Sequence, residues 1–117
     1  MGLKKVKWHK IANDPAEIRW TSGQVAEVEV DGKKFCLGKF QEEWYGFAAT
    51  CPHAGAPLVD AYIDGACHLV CPVHQLKFNL KTGRDKLGEG YLLKTYPVEV
   101  RADGVFLGIE EGRFKWF

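Results

Sequence analysis

The sequence predicts an all-β fold, an antiparallel sandwich, and three observations carry the prediction. Apolar residues recur at every second position: Val28 and Val30 between Glu27 and Glu29, then Tyr96, Val98 and Val100, then Val105, Leu107 and Ile109. A period of two is one face of a half-buried strand. Asp-Gly pairs at 31–32, 64–65 and 103–104 interrupt these runs, and such pairs close tight hairpins. Evidence for helix is thin along the whole sequence.

Taken in order, Asn13-Asp14-Pro15 caps a short turn, since Asn or Asp suits the N-cap and Pro the first helical position. Residues 24–40 form a hairpin about Asp31-Gly32. "WYGFAAT" (44–50) is a third strand and delivers the chain to Cys51. After the turn at Asp64-Gly65, "ACHLV" (66–70) delivers it to Cys71. Tyr96, Val98 and Val100 share one face of a strand that turns at Asp103-Gly104 into "VFLGIE", and "RFKWF" (113–117) adds a last short strand. The 117 residues are expected to form one domain, 1–117. A chain of this size buries roughly two-thirds of its unfolded surface, enough for a core without staples.

Composition narrows the classes. The chain is 46% hydrophobic and 26% charged with a formal net charge of +1, ordinary for a globular protein. No basic stripe points to nucleic acid, and no acidic tail points to disorder. No apolar run approaches the roughly 18 residues of a membrane span. "MGLKKVKWHK" has charge but no apolar stretch behind it, unlike a secretory signal, and Val6 stands where myristoylation wants Ser or Thr. The default location is cytoplasmic, where cysteines serve as metal ligands or buried thiols sooner than as disulfides.

"CPHAGAPL" (51–58) and "CPVHQLKF" (71–78) nearly repeat one another, each after a strand. Cys51, His53, Cys71 and His74 supply two thiolates and two imidazoles, the soft-to-borderline donors for a transition metal. A zinc held by two Cys and two His is one reading, and it makes the protein a zinc-stabilised interaction module. Zinc-finger pairs usually keep like with like, whereas each pair here is mixed. A mixed pair suits a two-metal cluster in which each loop gives one ligand to each metal.

C-x-H, 17 residues, then C-x-x-H resembles the signature of the Rieske family. "CPHAGAPL" and "CPVHQLKFNLKTG" resemble its two cluster loops, and "YPVEVRADGVFL" resembles its closing hairpin. The resemblance implies a Rieske-type antiparallel β-sandwich with a small cluster-binding subdomain at about 45–85. It implies one [2Fe–2S] cluster per chain, with Cys51 and Cys71 on one iron and His53 and His74 on the other. The residue after the second histidine is usually Gly and here is Gln75, which bears on the local backbone and leaves the ligands in place.

Two ferric ions, two sulfides and two thiolates sum to zero charge, where four thiolates would leave a dianion. An electron is added more easily to the neutral set, and the family spans about −150 to +300 mV. Respiratory members carry an extra cysteine in each loop, at positions that match Ala56 and Val73, and a sulfur-bonding serine that matches Leu76. Losing that hydrogen bond leaves the reduced cluster less stabilised, so the low end of the range is expected. Solvent-reaching imidazoles would also make the potential fall with rising pH on the alkaline side.

The remaining residues read more plainly. Cys36 and Cys67 are expected as packed thiols, Cys67 on one strand face with Leu69 and Cys71; a Cys36–Cys67 disulfide is the alternative that a reducing compartment disfavours. His9 and His68 are structural, and the Trp and Phe residues belong to the core. Pro57 and Leu58 form the rim beside the cluster. Lys77, Lys81, Arg84 and Lys86, with Asp85 among them, make a solvated loop or a surface that steers a partner.

With His53 and His74 assigned, only His9 and His68 remain, too few for the two-His-one-carboxylate iron of larger Rieske oxygenases. No dinucleotide fingerprint is present. The expectation is a monomeric one-electron carrier, a Rieske-type ferredoxin between a flavoprotein reductase and a terminal oxygenase. The small subunit of an assimilatory nitrite reductase is the alternative.

Overall fold

Asp31 and Gly32 both take left-handed φ, 51° and 81°, as a two-residue hairpin turn requires. The computed structural model describes residues 6–110. Among these described residues ten strands follow in order: β1 (Val6–Ala12), β2 (Val25–Val30), β3 (Lys33–Phe40), β4 (Glu43–Ala48), β5 (Tyr62–Ile63), β6 (His68–Val70), β7 (Lys77–Asn79), β8 (Thr95–Tyr96), β9 (Val98–Arg101) and β10 (Gly104–Glu110). Helical structure among the described residues is limited to two single 3₁₀ turns, Pro15–Glu17 and Leu58–Asp60. No helix there is long and apolar enough to cross a membrane.

The strands form three antiparallel sheets, ordered β1-β10-β9, β2-β3-β4-β8 and β5-β6-β7. One core lies between the first two. Ala12, Val105 and Leu107 meet Ala26, Val30, Phe35 and Leu37 there. The other face of the four-stranded sheet packs on the small sheet, where Val25, Cys36 and Phe47 meet Leu69, Phe78 and Leu80. The four-stranded sheet is therefore covered on both sides. That is why "FCL" in β3 is unbroken in apolar character while β2, at the edge, alternates Val with exposed Glu.

Asp14 caps the first 3₁₀ turn as expected, accepting from Ala16 N–H at 2.8 Å. The strand expected at 96–100 is divided. Tyr96 ends β8 beside β4, and Val98 begins β9 beside β10. Pro97 lies between them, has no N–H for a ladder, and passes the chain from one sheet to the other. Tyr96 and Val98 still face the same core, but Val100 is 49% exposed. The strand expected at 113–117 lies outside the described residues.

Candidate metal centre

Each of the two Cys-Pro segments is a loop at the end of a strand, and the two close in the same way. Cys51 N–H donates to Ala56 C=O at 2.9 Å, and Cys71 N–H donates to Leu76 C=O at 2.9 Å. The acceptor lies five positions after the donor in both. The fifth residue of each segment is left-handed, Gly55 at φ 70° and Gln75 at φ 58°. Where the first loop uses glycine, the second holds a side chain in a backbone region that L-residues rarely take. The Gln75 amide donates back to Pro72 C=O at 3.3 Å.

These closures bring all four sequence-predicted residues to one tip. Cys51 and Cys71 are buried, 2% and 0% exposed, and the Cys51 thiol lies close enough to perturb that of Cys71. Burial pushes the Cys71 thiol up, a hydrogen bond from Val73 N–H opposes this in part, and the Cys51 thiol adds to the rise. The imidazoles lie outside the sulfurs. His53 is half-buried and His74 exposed, with ring centroids 5.3 Å apart at 66°. His53 Nδ1 is buried without a hydrogen-bond partner. A buried polar atom left unsatisfied costs about 1–3 kcal/mol, and a metal ion bound at that nitrogen removes the cost. Among the described residues, no three His, Cys, Asp or Glu side chains gather as a single-ion site. The side chains come as two pairs, Cys51 with Cys71 and His53 with His74, a donor set that would suit a two-iron cluster.

A third segment completes the tip, and sequence reasoning missed it. Asp85, read as one charge inside a basic loop, is only 7% exposed. Its carboxylate accepts from Glu89 N–H at 2.9 Å and from Tyr91 N–H at 2.7 Å. Those hydrogen bonds, the Glu89 one foremost, hold its carboxyl below the ordinary range. The loop carries Tyr91 to His53, ring centroids 4.8 Å apart at 77°. The available signal was Asp85 followed by Gly88 and Gly90, both left-handed: a carboxylate ahead of a chain able to curl back onto it. The surrounding cations Lys81, Arg84 and Lys86 are exposed, as expected of a solvated loop.

Other expectations are corrected in detail. Leu58 is fully buried in the core and does not form the rim, whereas Pro57 beside it is exposed. Cys67 is packed with Leu69 and Cys71, but it precedes β6 in a left-handed turn (φ 66°) and is not on the strand. Its thiol meets the Tyr45 hydroxyl, which donates to Glu43 at 3.0 Å. All four cysteines are free. Burial, aided by the Glu27 carboxylate, pushes the Cys36 thiol up to about 12, so Cys36 is an inert core residue.

His9 lies in β1 opposite Leu107. His68 Nδ1 is 3.4 Å from the Asp64 carboxylate without an aligned hydrogen bond. Asp64 also accepts from the N–H groups of Ala66 and His68 and pairs with Lys77 at 3.2 Å. Burial alone would raise this carboxyl, but the two N–H groups and Lys77 outweigh it and bring it to about 2. Asp64 thereby ties the β5–β6 turn to β7 beneath the second loop.

A family model for the Rieske [2Fe-2S] domain matches residues 7–97. The chain belongs to the Rieske [2Fe-2S] domain family. It is 32% identical over 88 residues to the ferredoxin component of the naphthalene 1,2-dioxygenase system of Pseudomonas aeruginosa, covering 74% of this chain and 84% of that one. The Rieske fold is also seen in two solved structures. The ferredoxin of carbazole 1,9a-dioxygenase from Nocardioides aromaticivorans IC177 superposes with a TM-score of 0.70 at 19% identity, over 86% of this chain and 95% of that one. A protein assigned as an NADH-dependent nitrite reductase small subunit from Mycobacterium tuberculosis superposes at 0.76 and 16% identity, over 92% and 99%. In this Rieske protein the residue at the respiratory serine position, Leu76, is 6% exposed and packs in the same core cluster as both cysteines.

Proposed function

We propose that this Rieske protein is a one-electron carrier holding one [2Fe–2S] cluster, with Cys51 and Cys71 on the inner iron and His53 and His74 on the outer. The observation that carries the reading is the division of donors: two thiols buried side by side, two imidazoles outside them, and His53 Nδ1 without a protein partner. When bound, the cluster takes up and gives back a single electron. The chain's own residues do the rest. The cysteine side keeps water from the sulfurs, and His74, exposed at the tip, is the short route for an electron to a docked partner. The loops at 49–58 and 71–76 with the small sheet form a cluster-binding subdomain of the single domain, about 45–85, extended by the loop to Tyr91.

The partners proposed are a flavoprotein reductase and a terminal oxygenase, with the carrier a cytoplasmic monomer. Likeness in sequence to ferredoxin components of dioxygenase systems supports this reading. The nitrite reductase small-subunit reading keeps one supporting observation, the fold likeness at TM-score 0.76. Two paired donor sets argue against a zinc module, which needs all four on one ion.

Iron and acid-labile sulfide analysis, with EPR after dithionite, tests the centre. Two irons, two sulfides and a rhombic signal per chain are expected, and zinc without sulfide would sink the reading. In His74→Cys protein that keeps its cluster, the added negative charge lowers the midpoint potential; an unchanged or higher value removes His74 from the ligand set.

A further inference from the structure

The two imidazoles at the tip are held unequally. His74 is exposed, and its ring meets only that of His53 among the described aromatic contacts. His53 is half-buried and meets two rings, those of His74 and Tyr91. Tyr91 approaches nearly edge-to-face, a geometry that fixes the rotation of one ring relative to the other.

Tyr91 is itself held by a reciprocal lock. Its N–H donates to the Asp85 carboxylate at 2.7 Å, and Asp85 N–H donates to Tyr91 C=O at 3.2 Å. Glu89 N–H takes the other carboxylate oxygen at 2.9 Å, and Gly88 N–H reaches Asp85 C=O at 3.3 Å. A carboxylate bonded to successive N–H groups gives a short loop one conformation. The loop is anchored on both flanks, where Lys86 N–H bonds Lys77 C=O at 2.8 Å and Leu93 N–H bonds Gly83 C=O at 2.7 Å.

We infer that Asp85 and Tyr91 form a clamp that positions the His53 imidazole, holding its Nδ1 inward and its outer face away from water. Asp85 and Tyr91 are positioning residues that act through His53. The inference rests on the cluster reading above. It makes the histidine-bound iron asymmetric, one imidazole sheltered under a phenol ring and the other open to solvent. Outer residues of this kind govern how tightly a metal ligand is held, and solvent access is one of the controls on an iron–sulfur potential.

The test uses the cluster-loaded protein and its Tyr91→Phe, Tyr91→Ala and Asp85→Asn variants. Midpoint potential, the two histidine ¹⁴N couplings in pulsed EPR of the reduced cluster, and the half-life of the visible circular dichroism in excess chelator are measured. Tyr91→Phe keeps the ring contact and matches the parent in all three. Tyr91→Ala admits water beside His53, which favours the added negative charge. Its potential rises, one ¹⁴N coupling moves while the other stays, and the chelator half-life falls about tenfold. Asp85→Asn replaces one acceptor oxygen with a donor and shifts the same readouts in the same direction. If Tyr91→Ala cannot be loaded, Tyr91→Leu, which keeps the bulk and loses the aromatic edge, carries the same measurements.

A parent protein with the rhombic signal and a Tyr91→Ala or Tyr91→Leu protein equal to it in potential, coupling and half-life overturns the clamp alone. A parent protein lacking iron, sulfide and the rhombic signal overturns the cluster reading, and the clamp with it.

Discussion

Gly32 and Gly83 share a backbone conformation and differ in surroundings, so one pair of substitutions separates backbone strain from close approach. Both have φ of +81°. A Cβ added at Gly32 meets nothing within 4 Å, whereas one added at Gly83 overlaps the Leu93 carbonyl oxygen. Gly83 closes the turn after β7, donating to Asn79 C=O at 2.7 Å and accepting from Leu93 N–H at 2.7 Å. That approach fastens the segment carrying Tyr91 to the small sheet.

An alanine held left-handed costs roughly 1–2 kcal/mol, offset by roughly 0.5–1 kcal/mol because glycine loses more chain entropy on folding. Gly32→Ala therefore costs about 1 kcal/mol net. Gly83→Ala carries the same strain plus about 1–3 kcal/mol for overpacking against backbone that has no rotamer to escape into. The total is about 3 kcal/mol. For a domain of this length, Gly32→Ala lowers the thermal midpoint by about 4 °C and Gly83→Ala by about 12 °C. Far-UV circular dichroism melts of the three loaded proteins, run at one scan rate, read the difference. Midpoints for the two variants that agree to within the equivalent of about 0.5 kcal/mol would refute the close approach of Gly83 to Leu93.

The other two predictions concern the sulfur environment and acid stability. Leu76→Ser introduces a hydroxyl beside the cysteines; the potential rises as stability falls by about 2 kcal/mol or more, and a potential that does not rise in titration shows that position 76 does not face a cluster sulfur. Asp64 has a folded pKa of about 2 against an ordinary 3.8, so its contribution is complete above 3.8 and is lost as pH falls through about 2. Asp64→Asn therefore melts below the parent near neutral pH, and the gap closes as pH approaches 2; a gap of constant size across that range contradicts the role assigned to Asp64.

Much of the fold was open to reading because the rules involved are local. Val and Glu alternate along β2 because one side of that edge strand meets water, and Asp31-Gly32 announces its hairpin because the turn demands two left-handed residues. The gathering of Cys51, His53, Cys71 and His74 at one tip was legible because two nearly identical short segments, each following a strand, are written in the chain. What failed was long-range. Leu58 reads as a loop residue, and only the small sheet folding over the four-stranded one buries it. The break at Pro97 depends on β4 and β10 belonging to different sheets. Asp85 sits among lysines and arginine in sequence, and its burial arises from N–H groups four and six residues ahead.

The near-repeat itself conceals the difference that matters. Both loops close over five residues with the same hydrogen bond, so composition and span suggest two equal halves. The histidine, however, is the third residue of one loop and the fourth of the other. At the fourth position His74 must itself turn left-handed (φ 66°), next to a left-handed Gln75, whereas the first loop leaves this conformation to Gly55 alone. The added twist accompanies the exposure of His74, while His53 stays against Tyr91. One residue of spacing thus separates two like side chains: the imidazole of the first loop lies half-buried against Tyr91, and that of the second is exposed at the tip.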